Sequence, residues 1–268
     1  MGRRFHGVGA ACLVAGLIAG CGSSSSGTSS TSTPTPRGAT TTAATTTAAT
    51  TTAGTAPSTA TLATLHRITA HRRLQSRFKG LEGLDLSQKI QALAANAGAF
   101  WTSEFAASQA QLPPATVNVV DQTPLSCGAG QITTTDPPAY CSSDGSIDFP
   151  LAFMQSSVAP IGDAAVALVV SDLYGYHIEN ALGALGAGYS PATLQKLDSC
   201  LSGVYFYSIQ GNLTTGDQAA VNTILAEKAT PPGGAAGGAG VSAMNLTSAF
   251  NKGILSQGRA QVCLPPKS

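Results

Sequence analysis

The chain has little charge and almost no histidine. Asp, Glu, Lys and Arg make up 10% of its 268 residues, the formal net charge is +1, and there are four histidines. A balance so close to zero gives no electrostatic footprint for DNA or RNA, so no nucleic-acid partner is expected. His6 falls in an apolar leader, and His66 and His71 precede the region with core-like patterning. Only His177 lies inside that region. No H-E-x-x-H occurs, so no pair of imidazoles one helical turn apart is offered to a single zinc. G-x-S-x-G is also missing, and a Ser/His/Asp arrangement drawn from His177 with Asp172 or Asp198 has no nucleophile elbow behind it. The Gly-rich run "GGAAGGAG" lacks the lysine and Ser/Thr of a phosphate loop and reads as a linker. The cysteines lack the close C-x2–4-C pairs of a structural zinc site.

What is present at the N-terminus gives an address. Arg3 and Arg4 precede the apolar run "VGAACLVAGLIAG", which is too short to span a bilayer and has the form of a secretory signal. Its end, "LIAGC", resembles a bacterial lipobox, with Ile18 in the usual leucine position and Cys21 as the lipidated residue. The plainer alternative is a signal peptide in which Cys21 is incidental. The Ser/Gly run "GSSSSG" directly after it favours a lipoprotein anchored in the cell membrane on its extracytoplasmic face, with residues 1–21 as the signal. Several acyl chains on one cysteine satisfy the need for more than one anchoring signal.

Residues 22–61 are Ser, Thr, Ala, Pro and Gly with a single charge, Arg37. Such a segment buries too little apolar area to offset its ordering entropy, and it reads as a disordered tether. A flexible coil of this length spans about 30–40 Å. The Thr clusters suit O-glycosylation by composition. Residues 62–80 follow, with Arg67, Arg72, Arg73, Arg77 and Lys79 and no acid, and they read as a basic helix. It would face either anionic lipid and wall polymer or solvent beside the acidic domain that follows. All 13 acids lie beyond residue 81, against six basic residues.

The folded domain is expected over 81–268. Ile90, Leu93, Ala94, Ala97, Phe100, Trp101 and Phe105 form a helical stripe that Pro113-Pro114 stops. "TVNVVD" and "SIDFPLAF" read as strands. "IGDAAVALVVSDLYGYHIENALGALG" is the most helical segment, two helices near 191–210 and 215–228 follow, and "SAMNLTSAFNKGILSQG" is the last. The class is α+β, mainly helical, with a small β-hairpin or sheet. Four cysteines remain after the signal, an even number in an exported chain, which suggests two disulfides. The simplest pairing is Cys127–Cys141 and Cys200–Cys263, worth about 3 and about 4 kcal/mol in the chain-entropy model.

Several segments in order carry a resemblance. "FWTSEF" is similar to F-W-x-x-x-F, and "CGAG…PPAYCSSDGSIDFPLAFM" to C-G…P-x-Y-C-P…T-I-Y-L-D-x-x-F-F, with Pro150 where an aspartate is usual. "GDAAVALVVSDLYGYHIENALG" resembles G-D-x-A-x-A-Y-V-I-A-H-E-x-G-H-H-V-Q-N-L-L-G. "LQKLDSCLSGVY" resembles E-L-Q-A-D-C-x-A-G-V-W, and "FNKGILSQGRAQVC" resembles F-x-x-G-x-x-x-G-D-P-x-Q-C. These are motifs of the neutral zinc metallopeptidase family, membrane-associated bacterial proteins with a zincin-like helix, and the likeness spans about residues 85–264. It implies a zincin-like domain on an exported lipoprotein of actinobacterial type. Residue by residue, it puts the first zinc histidine on Asp172, the base glutamate on Leu173 and the second histidine on Tyr176. The third ligand falls on Gln195, or on Thr193 if the register slips. His177 matches a neighbour of the second ligand, not the ligand.

The chemistry of those substitutions sets the expectation. Leu173 cannot move a proton, a Tyr176 phenol is a poor zinc ligand near neutral pH, and Gln195 is neutral. Asp172 with Glu179 makes an oxygen-rich pair suited to a hard cation but too few in number for a tight site. No cofactor is expected, and zinc only if unusual ligands keep the enzyme active. Asp172, Tyr174, Tyr176, His177 and Glu179 are the expected cleft residues. The reading is a degenerate peptidase scaffold that binds a peptide or envelope protein without cutting it. The alternatives are an active metallopeptidase with unusual ligands and a structural envelope lipoprotein.

Overall fold

The computed structural model describes residues 58–70, 81–128, 130–209, 214–229 and 241–265. The signal at 1–21, including Cys21, lies outside the described residues, as do most of the tether and residues 71–80. Five long helices carry the domain: α1 (Leu86–Ala107), α3 (Asp163–Ala181), α4 (Pro191–Ile209), α5 (Thr215–Ala229) and α6 (Ala243–Leu255). A three-residue turn, α2 (Leu151–Phe153), opens a run of helical turns that continues to Ile161. Among the described residues no helix is long and apolar enough to cross a membrane.

The start of the domain differs from the sequence reading. Ser58–Thr59 (β1) pairs in parallel with Ala110–Gln111 (β2), inside the segment expected to be tether. Of the expected basic helix at 62–80, Leu62–His66 is a short 3-10 turn, and the chain is then extended, with Thr69 bridging Arg259. Leu65, Ile68 and Ala70 are buried. The basic residues drew attention to charge, but the apolar ones between them dock on the C-terminal segment and make this stretch part of the domain.

α1 begins at Asp85, whose carboxylate accepts from the Gln88 backbone N–H at 2.8 Å while the Gln88 side chain accepts from the Asp85 N–H at 3.1 Å. That reciprocal pair satisfies two of the free donors at a helix start. Its apolar stripe is buried as read, and Phe100, Trp101 and Phe105 stack edge to face in the core. Lys89 on α1 pairs with Asp163 at the start of α3 at 2.9 Å.

The sheet is small. Ser146–Pro150 (β7) lies between Thr116–Val120 (β3), parallel to it, and Ala139–Cys141 (β6), antiparallel to it. All five residues of β7 are buried, although Ser146 and Asp148 alternate with its apolar residues. Its Asp148 is kept in the interior by Asn118 and Ser146, which donate at 2.8 and 3.0 Å. Between β3 and β6 lies a second hairpin, Leu125–Cys127 (β4) with Gly130–Ile132 (β5).

Both cysteine pairs are bonded. Cys127–Cys141 ties β4 to β6, and Cys200–Cys263 ties α4 to the C-terminal turn. The second closes a separation of 63 residues against 14 for the first. Replacing Cys200 and Cys263 by serine is expected to cost about 2–5 kcal/mol, and replacing Cys127 and Cys141 less. Urea melts of the two double variants check the order.

Candidate cleft between α3, α4 and α5

α3 sorts its side chains by helical position. Asp172, Tyr176 and Glu179 recur at four- and three-residue steps on one side and face α4 and α5. Tyr174 and His177 turn the other way: the Tyr174 hydroxyl reaches the space beside Gly98 on α1, and His177 Nε2 is 2.8 Å from the Pro113 carbonyl oxygen. Burial pulls the His177 pKa down from its usual value, partly offset by Pro113, so the neutral ring donates to that carbonyl. Tyr140 and Tyr174 contact the ring edge to face. His177 is therefore a packed, hydrogen-bonded helix residue.

α4 approaches α3 at Gly175. A Cβ there would lie 2.7 Å from Asp198 Cβ, so the missing side chain is what lets Asp198 in. Asp198, Ser199 and Ser202 are fully buried on that face. Ser202 Oγ donates to Asp172 Oδ1 at 3.3 Å. From the third side α5 delivers Lys228, one turn after the buried Ile224. Its ammonium donates to Asp172 Oδ2, to Asp198 Oδ1 at 2.9 Å and to Ser199 Oγ at 3.2 Å. Nζ also stands 5.8 Å from the centre of the Tyr176 ring.

Asp172, Tyr176 and Lys228 of this cluster line a cleft of about 520 Å³. Asp172, Leu173 and Tyr176 of α3, Gln195 of α4, and Ile224, Glu227 and Lys228 of α5 line it. The rest of the lining is mostly apolar: Pro137, Pro138, Phe153, Ser157 and Val158, with Val169 of α3. Of the five expected cleft residues, Asp172 and Tyr176 line it. Tyr174 and His177 face elsewhere, and Glu179 is fully buried and does not line it.

The electrostatics follow from low solvent access. Burial opposes the charge on Lys228, but Asp172 and then Asp198 outweigh it and hold the pKa above the usual lysine value. Burial, then repulsion from Asp172, pushes Asp198 up to about 7. Burial first and Asp198 second push Glu179 up to about 10, so it is a neutral acid near pH 7. Burial and the neighbouring carboxylates raise the Tyr176 phenol far above its usual range.

Compared with known protein families, residues 20–229 match the one described as "Putative neutral zinc metallopeptidase". The chain belongs to this metallopeptidase family. No curated protein and no solved structure matches it.

The family implies a zinc ion, and the donors in this cleft do not fit one. Asp172 is committed to Lys228 and Ser202. Tyr176 stays protonated, and Gln195 offers a neutral amide. Catalytic zinc takes three N, O or S ligands and an open position, whereas here a lysine ammonium sits among the oxygens. Among the described residues no group of three or more His, Cys, Asp or Glu is placed to hold a metal ion. Beside the Asp172/Glu179 pair expected from the sequence stands Asp198, which Gly175 lets in from α4 and which shares Lys228 with Asp172.

Asp198 and Lys228 are the site residues that reading by motif missed. Asp198 had a local signal: it is the one acid in the otherwise apolar and small run Leu197–Phe206, all buried. Lys228 had none. A lysine in the last turn of a polar helix is ordinarily a solvated residue favoured by the helix dipole.

Proposed function

We propose that this protein is a surface-anchored lipoprotein whose metallopeptidase-like domain binds a peptide or protein segment in the cleft without hydrolysing it. The observation that carries the reading is Lys228. Its ammonium occupies the floor of the cleft, bonded to Asp172, at the helix position onto which the family likeness carries the first zinc ligand. Peptide hydrolysis in this family's manner needs a metal-activated water and a base to take its proton. Leu173 stands at the base position and cannot serve. What the cleft keeps is an apolar lining that includes Pro137, Pro138, Phe153, Val158 and Ile224, together with the polar Asp172, Tyr176, Gln195 and Lys228, a combination that suits a peptide with apolar side chains. Lipid on Cys21 would hold the domain at the membrane on the extracytoplasmic side, within reach of envelope proteins.

The test uses the full-length exported protein in membranes. A peptide library is incubated with it, and both cleavage and retention are read by mass spectrometry. Expected are no cleavage, with or without added zinc, and retained peptides whose affinity falls at least tenfold in Ile224→Arg. Turnover that a chelator abolishes and zinc restores would sink the proposal. Labelling with a palmitate analogue that disappears in Cys21→Ser checks the anchor separately.

A further inference from the structure

We propose that the Lys228 ammonium is a tethered cation that stands in place of the family's metal ion, holding together the carboxylates on the cleft floor. The inference deepens the binding reading above and depends on it only in sharing the same cleft.

An ammonium has three N–H donors and no acceptor. Lys228 Nζ has three acceptors: Asp172 Oδ2, Asp198 Oδ1 and Ser199 Oγ. They come from α3 and α4, while the cation comes from α5. Two carboxylates and a hydroxyl are also what a hard divalent cation takes. The site is largely closed: the side chains of Lys228, Asp172 and Asp198 are 15%, 14% and 0% exposed. Two carboxylates facing each other there need a cation, because a buried charge without a partner is strongly unfavourable.

The surroundings are arranged around a positive charge rather than around an ordinary salt bridge at the rim. Ser202 holds the second oxygen of Asp172. Asp198 Oδ2 and both Glu179 oxygens are buried, and the Tyr176 hydroxyl interacts with the Asp198 carboxylate. Asp172 and Lys228 line the open cleft, so an ion from solvent can reach the carboxylates once the lysine side chain is gone.

Full-length Lys228→Ala, compared with the wild-type protein, tests this by thermal melting in EDTA and in millimolar Mn²⁺, Ca²⁺ or Zn²⁺. Wild type is expected to melt at the same temperature in all of them. Lys228→Ala is expected to melt about 10 °C lower in EDTA. Mn²⁺ should restore at least half of that loss, with a saturable dependence on concentration. Adding Asp172→Asn to Lys228→Ala should remove the rescue. Equal melting of Lys228→Ala with and without every ion overturns the proposal, as does wild-type protein that loses stability when a chelator strips a stoichiometric metal. If Lys228→Ala does not fold with or without Mn²⁺, the wild-type ammonium resonance of Lys228 decides. Millimolar Mn²⁺ leaves it unbroadened if the lysine fills the site, and selective broadening overturns the idea. Failure to retain any peptide would leave these melting curves unchanged, so the two readings fail separately.

Discussion

Gly253→Ala is expected to destabilise the protein by about 3 kcal/mol or more, lowering the melting temperature by about 6–12 °C. α6 crosses α4 with backbone almost against backbone. A Cβ on Gly253 would lie 2.1 Å from the Cys200 carbonyl oxygen and 2.8 Å from the Val204 nitrogen. On the other helix, a Cβ on Gly203 would lie 2.1 Å from the Phe250 carbonyl oxygen. These are main-chain atoms at the contact of two helices and cannot swing aside as a side chain can. The helices must separate, and the Cys200–Cys263 bond beside the crossing resists that. Alanine has the higher helix propensity by about 1 kcal/mol, which offsets part of the loss. Gly216 on α5 supplies the control. The nearest atom to its added Cβ is 3.7 Å away, so Gly216→Ala should be neutral or stabilising by about 0.5–1 kcal/mol. Calorimetry on the two variants checks both signs, and a Gly253→Ala protein as stable as wild type would mean that the crossing is not this close.

Glu179→Gln is expected to abolish most of the loss of stability with rising pH. The carboxyl is fully buried, and its pKa in the fold is pushed up to about 10, against about 4.3 in an unfolded chain. Between those values the folded protein keeps a proton that the unfolded chain has lost. The stabilisation is therefore fully present below about pH 4.3 and drains away as pH rises towards 10. Each unit is worth up to about 1.4 kcal/mol. Glutamine carries no proton to lose, so the advantage of Glu179→Gln over wild type should grow by up to about 4 kcal/mol between pH 5 and pH 8. The groups facing Glu179 are Asp198 and Asp172, which oppose its ionisation, Lys228, which favours it, and Tyr176, which stays neutral. Asp198, raised to about 7, adds a slope of the same sign that ends near neutrality and survives in the variant. The family motif that α3 resembles carries glutamine at this position, so the substitution suits the scaffold. Urea unfolding at several pH values measures it, and parallel pH dependences of wild type and variant would contradict it.

Much of the fold was legible in order and type. The stripe from Ile90 to Phe105, the strands at 116–120 and 146–150, and the helices at 163–181, 191–209, 215–229 and 243–255 all come from local periodicity and punctuation, which act within a few residues. The start of the domain did not, because Leu65, Ile68 and Ala70 look like fillers between arginines until the strand-like contact with Arg259 buries them. The candidate site was half legible. That only one histidine, His177, lies beyond residue 81, and that Asp172, Leu173 and Tyr176 stand where they do on α3, are properties of the chain itself. The face each residue takes on α3 follows from helical spacing, and this separates His177 from Tyr176.

The sequence by itself determined which groups a zinc peptidase of this family would lack, since an absent imidazole or carboxylate cannot be supplied by folding. Only the tertiary structure decided what fills their place. Asp198 meets Asp172 because Gly175 has no side chain to keep the helices apart, and Lys228 reaches both because α5 packs against α3 56 residues further along the chain. A buried ammonium is stable only where carboxylates converge on it, and convergence of three helices at one point is a property of packing, not of any local pattern.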